Sequence, residues 1–254
     1  MEQSRSEGRR ILVTGAASGI GRASALRLIE EGAHVVFADR DEAGLATAVA
    51  QAQVAARAHA LVYDAADGDA SAALVEHADG AMGGLDGIVC NAGIYRRNHV
   101  LDISPEEWSA MFAINLTSVF RIVQVGLPRL KESGGSVVTI ASTAAIHGIA
   151  YAAHYAAAKA GVVALTRSLA VEHGPSGIRF NVVCPGKVNT SIGAGLVPLD
   201  DQLESLLVRP PKLAGRTDGG RPEDIASAIA WLISNDAAYV SGSVLVVDGA
   251  QNVG

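Results

Sequence analysis

Tyr155 is followed four residues later by Lys159, and none of the other four tyrosines has a lysine at that spacing. Positions i and i+4 share one face of a helix, so an ammonium can sit beneath the phenol. A free tyrosine, with a pKa near ~10, is a poor base at neutral pH; a fixed cation beside it stabilises the phenolate and makes it a usable proton acceptor or donor. The positive ring of an oxidised nicotinamide would act in the same direction. Alone the pair carries little weight, because an Ala-rich helix contains such spacings by chance.

A second chemistry-bearing element lies near the N-terminus, where Thr14-Gly15-Ala16-Ala17-Ser18-Gly19-Ile20-Gly21 follows an apolar run. The glycines read G-x-x-x-G-x-G rather than the commoner G-x-G-x-x-G of dinucleotide folds, with the same physics. Gly15 permits a sharp exit from a strand, Gly19 lets the backbone approach a pyrophosphate, and Gly21 allows close helix–strand packing. With Ser18 and Ile20 they open a helix whose first N–H groups face an anion. The next apolar run ends at Asp39-Arg40. An acid there is placed to accept hydrogen bonds from ribose hydroxyls and to repel a 2′-phosphate, which favours NAD over NADP. Arg40 works the other way. Asp64, followed by Ala65, ends a third run and could meet the adenine edge.

Positioning these groups requires a particular scaffold. Short, mostly β-branched apolar runs recur at 11–13, 34–38, 59–62, 87–90, 136–140, 179–183 and 244–247. They lack polar alternation, as strands buried on both faces do. Ala-rich helical segments at 20–31, 42–54 and 71–81 lie between them, which implies right-handed βαβ units in a parallel sheet covered on both sides. Two longer helices follow. One begins at Ser104-Pro105-Glu106-Glu107, with Ser104 as N-cap and Glu107 placed to close a capping box; the other spans 152–173 and stops before Gly174-Pro175. From 188 to 221 the alternation breaks down, with a short helix expected at 200–207, and so long an irregular stretch is usually a functional loop. No second domain or linker is visible.

Composition excludes several classes. The chain has 254 residues, 49 % hydrophobic but only 4 % aromatic, and a net charge of −6 without a long basic run. Nucleic acid or an anionic membrane is therefore not expected as a partner, and no stretch reads as the roughly 20 apolar residues of a membrane span. The opening residues are polar, without a signal-peptide core. Cys90 and Cys184 each end an apolar run and read as buried small hydrophobes, and the histidines show no metal-ligand spacing. A cytoplasmic protein without a metal is the expectation.

Taken together, residues 14–21, Asn91-Ala92-Gly93, Asn115, Ser142, Tyr155 with Lys159, and Pro185-Gly186 followed by Thr190 resemble the classical short-chain dehydrogenases/reductases. The match runs from about Arg9 to Gly249. Ser142 lies 13 residues before Tyr155 and Asn115 lies 40 before it, as in the family. The resemblance implies a Rossmann-like, doubly wound sheet of seven parallel strands in a single α/β domain. It implies Tyr155 as general acid/base and Ser142 as the group that polarises the substrate oxygen. Lys159 would bind the nicotinamide ribose and lower the Tyr155 pKa, and Asn115 would hold a water linking Lys159 to solvent. Asn91 and Gly93 would line the cofactor site, while Pro185, Gly186, Val188 and Thr190 would place the carboxamide. A homotetramer built on the two long helices is implied too. Departures are small: Cys90 precedes Asn91, Ala141 precedes Ser142, and the C-terminal motif reads Val247-Asp248-Gly249-Ala250.

The substrate pocket is expected at the carboxyl ends of the strands. Its expected lining is Ile94, Tyr95 and Arg96, then Ala144, Ile149 and His154, then Lys187 and the 188–221 loop. Arg96 and Arg97 could bind a carboxylate or phosphate, although loop arginines are usually solvated. The expected activity is NAD-dependent interconversion of a secondary alcohol and a ketone. An NADPH-preferring carbonyl or 3-oxoacyl-thioester reductase is the alternative, and a non-catalytic nicotinamide sensor is the reading from another class.

Overall fold

The computed structural model describes residues 4–193, 196–207 and 209–253; the parts of the expected N-terminal stretch and 188–221 loop at 1–3, 194, 195 and 208 lie outside them. Seven strands form one sheet: β1 (Arg10–Thr14), β2 (His34–Asp39), β3 (Ala58–Val62), β4 (Gly87–Cys90), β5 (Ser136–Ile140), β6 (Arg179–Pro185) and β7 (Val244–Val247). All pairings are parallel, in the order β3-β2-β1-β4-β5-β6-β7. The chain winds outward in one direction from β1 and in the other from β4. Their carboxyl ends therefore flank the crevice where such folds bind ligands.

Strand alternation feeds a core on each face. Ile11 and Val13 of β1 join Val35 and Phe37 on one side, under α1 (Gly19–Glu30), α2 (Glu42–Ala50) and α8 (Pro222–Ile233). Leu12, Val36 and Ile88 join the other, under α3 (Ala70–Met82), α5 (Ser118–Ser133) and α7 (Ala153–His173). A third, smaller cluster unites Met111 of α4 (Pro105–Phe112), Ala144 of the short α6 (Ala144–His147) and Ala152, Tyr155 and Ala158 around the start of α7. That cluster seats the catalytic candidates. Cys90 and Cys184 are buried free thiols.

Most expected elements recur within a residue or two, and four differ for identifiable reasons. The helix expected to reach 54 ends at Ala50, because Gln51 and Ala52 turn their N–H groups to Ala48 and Val49 in tighter i→i−3 bonds. The helix expected at 200–207 is only a 3-10 turn, Glu204–Leu206. Leu203 N donates to the Tyr151 hydroxyl (2.8 Å) and Asp200 O meets His99 Nε2 (2.9 Å), which takes backbone groups away from a helical ladder. The capping box at Ser104 is half formed. Its hydroxyl accepts from Glu107 N (3.1 Å), but the Glu107 carboxylate turns inward, accepting from Asn98 Nδ2 at 2.6 Å. Finally, α8, with Pro222 at its start and Asp224 Oδ2 accepting from Arg221 N (2.7 Å), follows the irregular loop without having been singled out in the sequence.

The first long helix is continuous from Pro105 to Ser133 through a π-turn at Ala113–Thr117, and by length and composition that run could cross a membrane. This corrects the expectation that no stretch is long and apolar enough. Its apolar stripe of Val119, Ile122, Val123, Gly126 and Leu130 is nonetheless buried on the sheet, while Gln124, Lys131 and Glu132 face outward.

Candidate active site

The glycine turn adopts the geometry its composition requires. Gly15 and Gly19 have φ of +67° and +52°, conformations that L side chains rarely adopt. Ser18 is extended (φ −152°, ψ 172°) and its hydroxyl caps no N–H, so the first-turn donors of α1 face the cleft beside the turn. The turn is stitched to the β1–β4 junction. Thr14 Oγ1 accepts from Asn91 N (3.0 Å) and Ala92 N (3.1 Å), and Asn91 Nδ2 donates to Thr14 O (3.0 Å) and Gly15 O (3.2 Å). Asp39 does more than begin a polar turn: Oδ2 accepts from Ala17 N at 3.1 Å and Oδ1 from Asp41 N at 3.1 Å.

These groups line a cleft of about 390 Å³, with Gly15, Ser18, Gly19 and Ile20 on its floor and Asp39, Arg40, Asp64 and Ala65 at one end. Asn91, Gly93, Ile94 and Arg96 continue the wall towards Thr190. A second cavity of about 950 Å³ adjoins it and contains Ser142, Ala144, Ile149, Tyr155, Gly186, Lys187 and Val188. Tyr95, Thr190 and Ile192 border both spaces. Gly21, Asn115, Lys159 and Pro185 line neither. Pro185 O accepts from Thr143 N (2.9 Å), which ties β6 to the segment carrying Ser142.

Tyr155 lies in the wall of the second cavity, against Tyr95, which borders both spaces. Its ring meets Tyr95 edge-on at 4.9 Å and 73°, and Ser142 lines the same cavity. Burial pushes the phenol up to about 12; the Ser142 hydroxyl pulls down and Tyr95 adds to the rise. Lys159 is 4 % exposed, its Nζ donates to Ile140 O at 2.8 Å, and it lies 5.9 Å from the centre of the Tyr155 ring. Burial also pulls this ammonium down, to about 8. Desolvation thus dominates both groups.

Asn115 sits within the π-turn, a local widening common at functional sites. Its Nδ2 donates to Met111 O and Ile94 O, both at 3.1 Å, and its Oδ1 accepts from Ile94 N at 3.2 Å. The amide thereby clamps the segment after β4. Gly93 fits between: a Cβ there would fall 2.6 Å from Asn115 Oδ1 and 3.4 Å from Lys159 Nζ.

Three expected substrate residues are elsewhere, Ile94 among them, which lines the nucleotide cleft and not the second cavity. His154 is fully buried behind the cavity, its Nε2 3.6 Å from Glu107 Oε1, and burial pulls its pKa down. Arg96 is exposed on the cleft side and donates to Tyr95 O at 3.1 Å. Its neighbour Arg97 enters the second cavity instead, as side chains alternate along an extended segment. Gln251 was missed. It is 3 % exposed, accepts from Lys187 N at 2.7 Å through Oε1, and closes the cavity floor against Gly186. The only sequence signal was its position just after the divergent C-terminal motif.

A family model described as enoyl-(acyl carrier protein) reductase matches residues 15–251. The chain is 41 % identical to cis-4-hydroxycyclohexanecarboxylate dehydrogenase of Sinomonas cyclohexanicum, over 94 % of each chain. It is 36 % identical to 3-oxoacyl-(acyl-carrier-protein) reductase of Thermotoga maritima, over 96 % of this chain and 98 % of that one. A solved short chain dehydrogenase from Mycobacterium paratuberculosis bound to NAD superimposes with a TM-score of 0.88 at 34 % identity, covering 96 % of this chain and 98 % of the other. The protein belongs to the short-chain dehydrogenase/reductase family and is an oxidoreductase.

Proposed function

We propose that the protein interconverts a secondary alcohol and a ketone with NAD as hydride acceptor, Tyr155 serving as general acid/base. The observation that carries this reading is the placing of Tyr155 and Ser142 in the wall of the second cavity, beside Tyr95, which borders the nucleotide cleft as well. The cofactor fits the cleft by its donors: unpaired N–H groups at the start of α1 suit a pyrophosphate, and Asp39 suits ribose hydroxyls. When bound, the nicotinamide accepts or supplies the hydride. The chain's own residues handle the proton. Ser142 holds the substrate oxygen, Tyr155 takes the hydroxyl proton in oxidation and returns it in reduction, and Lys159 adds positive charge behind the ring. Asn115 and Gly93 keep Lys159 and the wall after β4 in register.

Two features favour a second reading, an NADPH-linked 3-oxoacyl-thioester reductase. One is the name of the Thermotoga relative; the other is Arg40, exposed at the ribose end of the cleft. Asp39→Ala separates them. The NAD reading expects the preference for NADH over NADPH to fall by about 10–100-fold, the value of one or two charge-assisted hydrogen bonds. Using the ratio of dissociation constants cancels any general loosening from the lost Ala17 bond. A wild type that binds NADPH more tightly would transfer the assignment to the second reading.

A homotetramer accounts for the apolar side chains left exposed on the long helices, Trp108 and Phe120 on the first and Val171 on α7. Sedimentation velocity on the purified protein is expected to give a single species of four chains, and a monomer would refute the assignment.

A further inference from the structure

We propose that the second cavity is built for a hydroxy acid and its oxo form, an aliphatic or alicyclic frame whose carboxylate is held by Arg97. This rests on the redox reading above and names its substrate class. The chain carries 26 acidic and 20 basic residues, yet among the described residues lining this cavity the charged ones are Arg97, Lys187 and Arg209, with no aspartate or glutamate. A cavity of one sign inside an acidic protein is selective for an anion. Lys187 and Arg209 are exposed at the rim, where water screens them, so they steer rather than anchor.

Arg97 is different. Its Nε is buried and has no hydrogen-bond acceptor among the described residues, and no ion pair engages its guanidinium there. Arg10 and Arg216, by contrast, are satisfied by Asp86 and Asp224 at 2.8 Å each. A buried guanidinium donor without an acceptor is costly, and the planar fork is matched by a carboxylate, which accepts two parallel bonds. Arg97 lies two residues beyond Tyr95, whose ring touches Tyr155, so anion site and reacting oxygen border one cavity. The remaining wall combines the apolar side chains of Ile149, Ile192, Leu196, Leu206 and Leu207 with uncharged polar ones such as Thr143, Asn189 and Gln251. An anion at one end, an apolar body and an alcohol at Tyr155 describe a hydroxy acid.

The test uses the full chain with NADH bound and compares cyclohexanecarboxylate with its neutral isostere, cyclohexanecarboxamide, by titration. The wild type is expected to hold the carboxylate about tenfold or more tightly than the amide. Arg97→Gln is expected to bring that ratio to about one, and Arg97→Lys to keep part of it. A merely structural arginine would weaken both ligands and leave the ratio alone. Equal affinity for the two in the wild type, or a ratio that survives Arg97→Gln, overturns the proposal. So does Arg97-dependent turnover of 3-oxobutyryl-coenzyme A with indifference to free carboxylates, which would make the anion a phosphate of a thioester carrier. Turnover of 4-hydroxycyclohexanecarboxylate and its methyl ester with NAD is measured alongside. Oxidation of the ester without any preference for the acid removes the anchor and leaves the redox reading. A carboxylate preference without Tyr155-dependent hydride transfer does the reverse.

Discussion

Replacing Tyr155 by Phe is expected to lower turnover by roughly 10²–10⁴-fold, the usual contribution of a positioned acid/base, while NADH binding stays within about twofold. The reasoning begins with what the change leaves intact. The phenyl ring keeps the edge-on contact with Tyr95 and its place in the cluster with Met111, Ala144 and Ala158. Only the hydroxyl is lost, on the cavity wall that it shares with Ser142. Neither the glycine turn nor Asp39 touches it, so the nucleotide cleft is undisturbed. Steady-state rates in both directions and a fluorescence titration of NADH check the two halves separately. Activity within a few-fold of wild type would remove Tyr155 from the chemistry. The same residue fixes the sign of the pH dependence. Alcohol oxidation needs the phenolate, and burial raises the phenol towards about 12. Oxidation should therefore quicken as pH rises and fall as the phenol is protonated, whereas ketone reduction, which uses the protonated phenol, should show the opposite limb. Phe at this position flattens both.

The scaffold was readable because its strands are covered on both faces. A run such as Val137-Val138 must be apolar at every position, since one side chain enters each core, and such runs mark a strand without help from distant residues. Local signals at the site were equally plain: the glycine turn, the acid at the end of β2, and the Ser104-Pro105 helix start. What stayed hidden depends on chain segments far apart in sequence. Glu107 is drawn from its capping partner by Asn98 and faces His154, and neither neighbour is visible within the four-residue motif. Gln251 enters the cavity only because β7 returns the chain beside β6. Arg96 and Arg97 are indistinguishable by type; the backbone after β4 sends one to each cavity. The tyrosine's pKa belongs with these, because the i,i+4 spacing announces the lysine's charge but not the burial of both groups.

Gly21→Ala is expected to damage binding and stability together, whereas the same substitution at Gly80 should do neither. A Cβ on Gly21 would run into the Gly15 carbonyl and stand 2.5 Å from Asn91 Nδ2. Neither can yield cheaply. The carbonyl belongs to the turn itself, and the amide is held by its bonds to Thr14 O and Gly15 O. The methyl group must therefore lift α1 from β1 or break the stitch at the β1–β4 junction, and either displaces the N–H groups offered to a pyrophosphate. Forced overpacking of this kind costs about 1–3 kcal/mol, or roughly 2–12 °C in midpoint for a chain of this size. Cofactor affinity should fall by about tenfold or more, because the donors act as a set. Gly80 lies inside α3 with nothing within 4 Å of an added Cβ. Alanine there removes backbone freedom from the unfolded chain and should stabilise by roughly 0.4–1 kcal/mol. Thermal unfolding with and without NADH reads both variants. If Gly21→Ala kept wild-type affinity, the close packing under the turn would be incidental to the nucleotide site, and the cleft's anion selectivity would have to come from Ser18 and Thr190 instead.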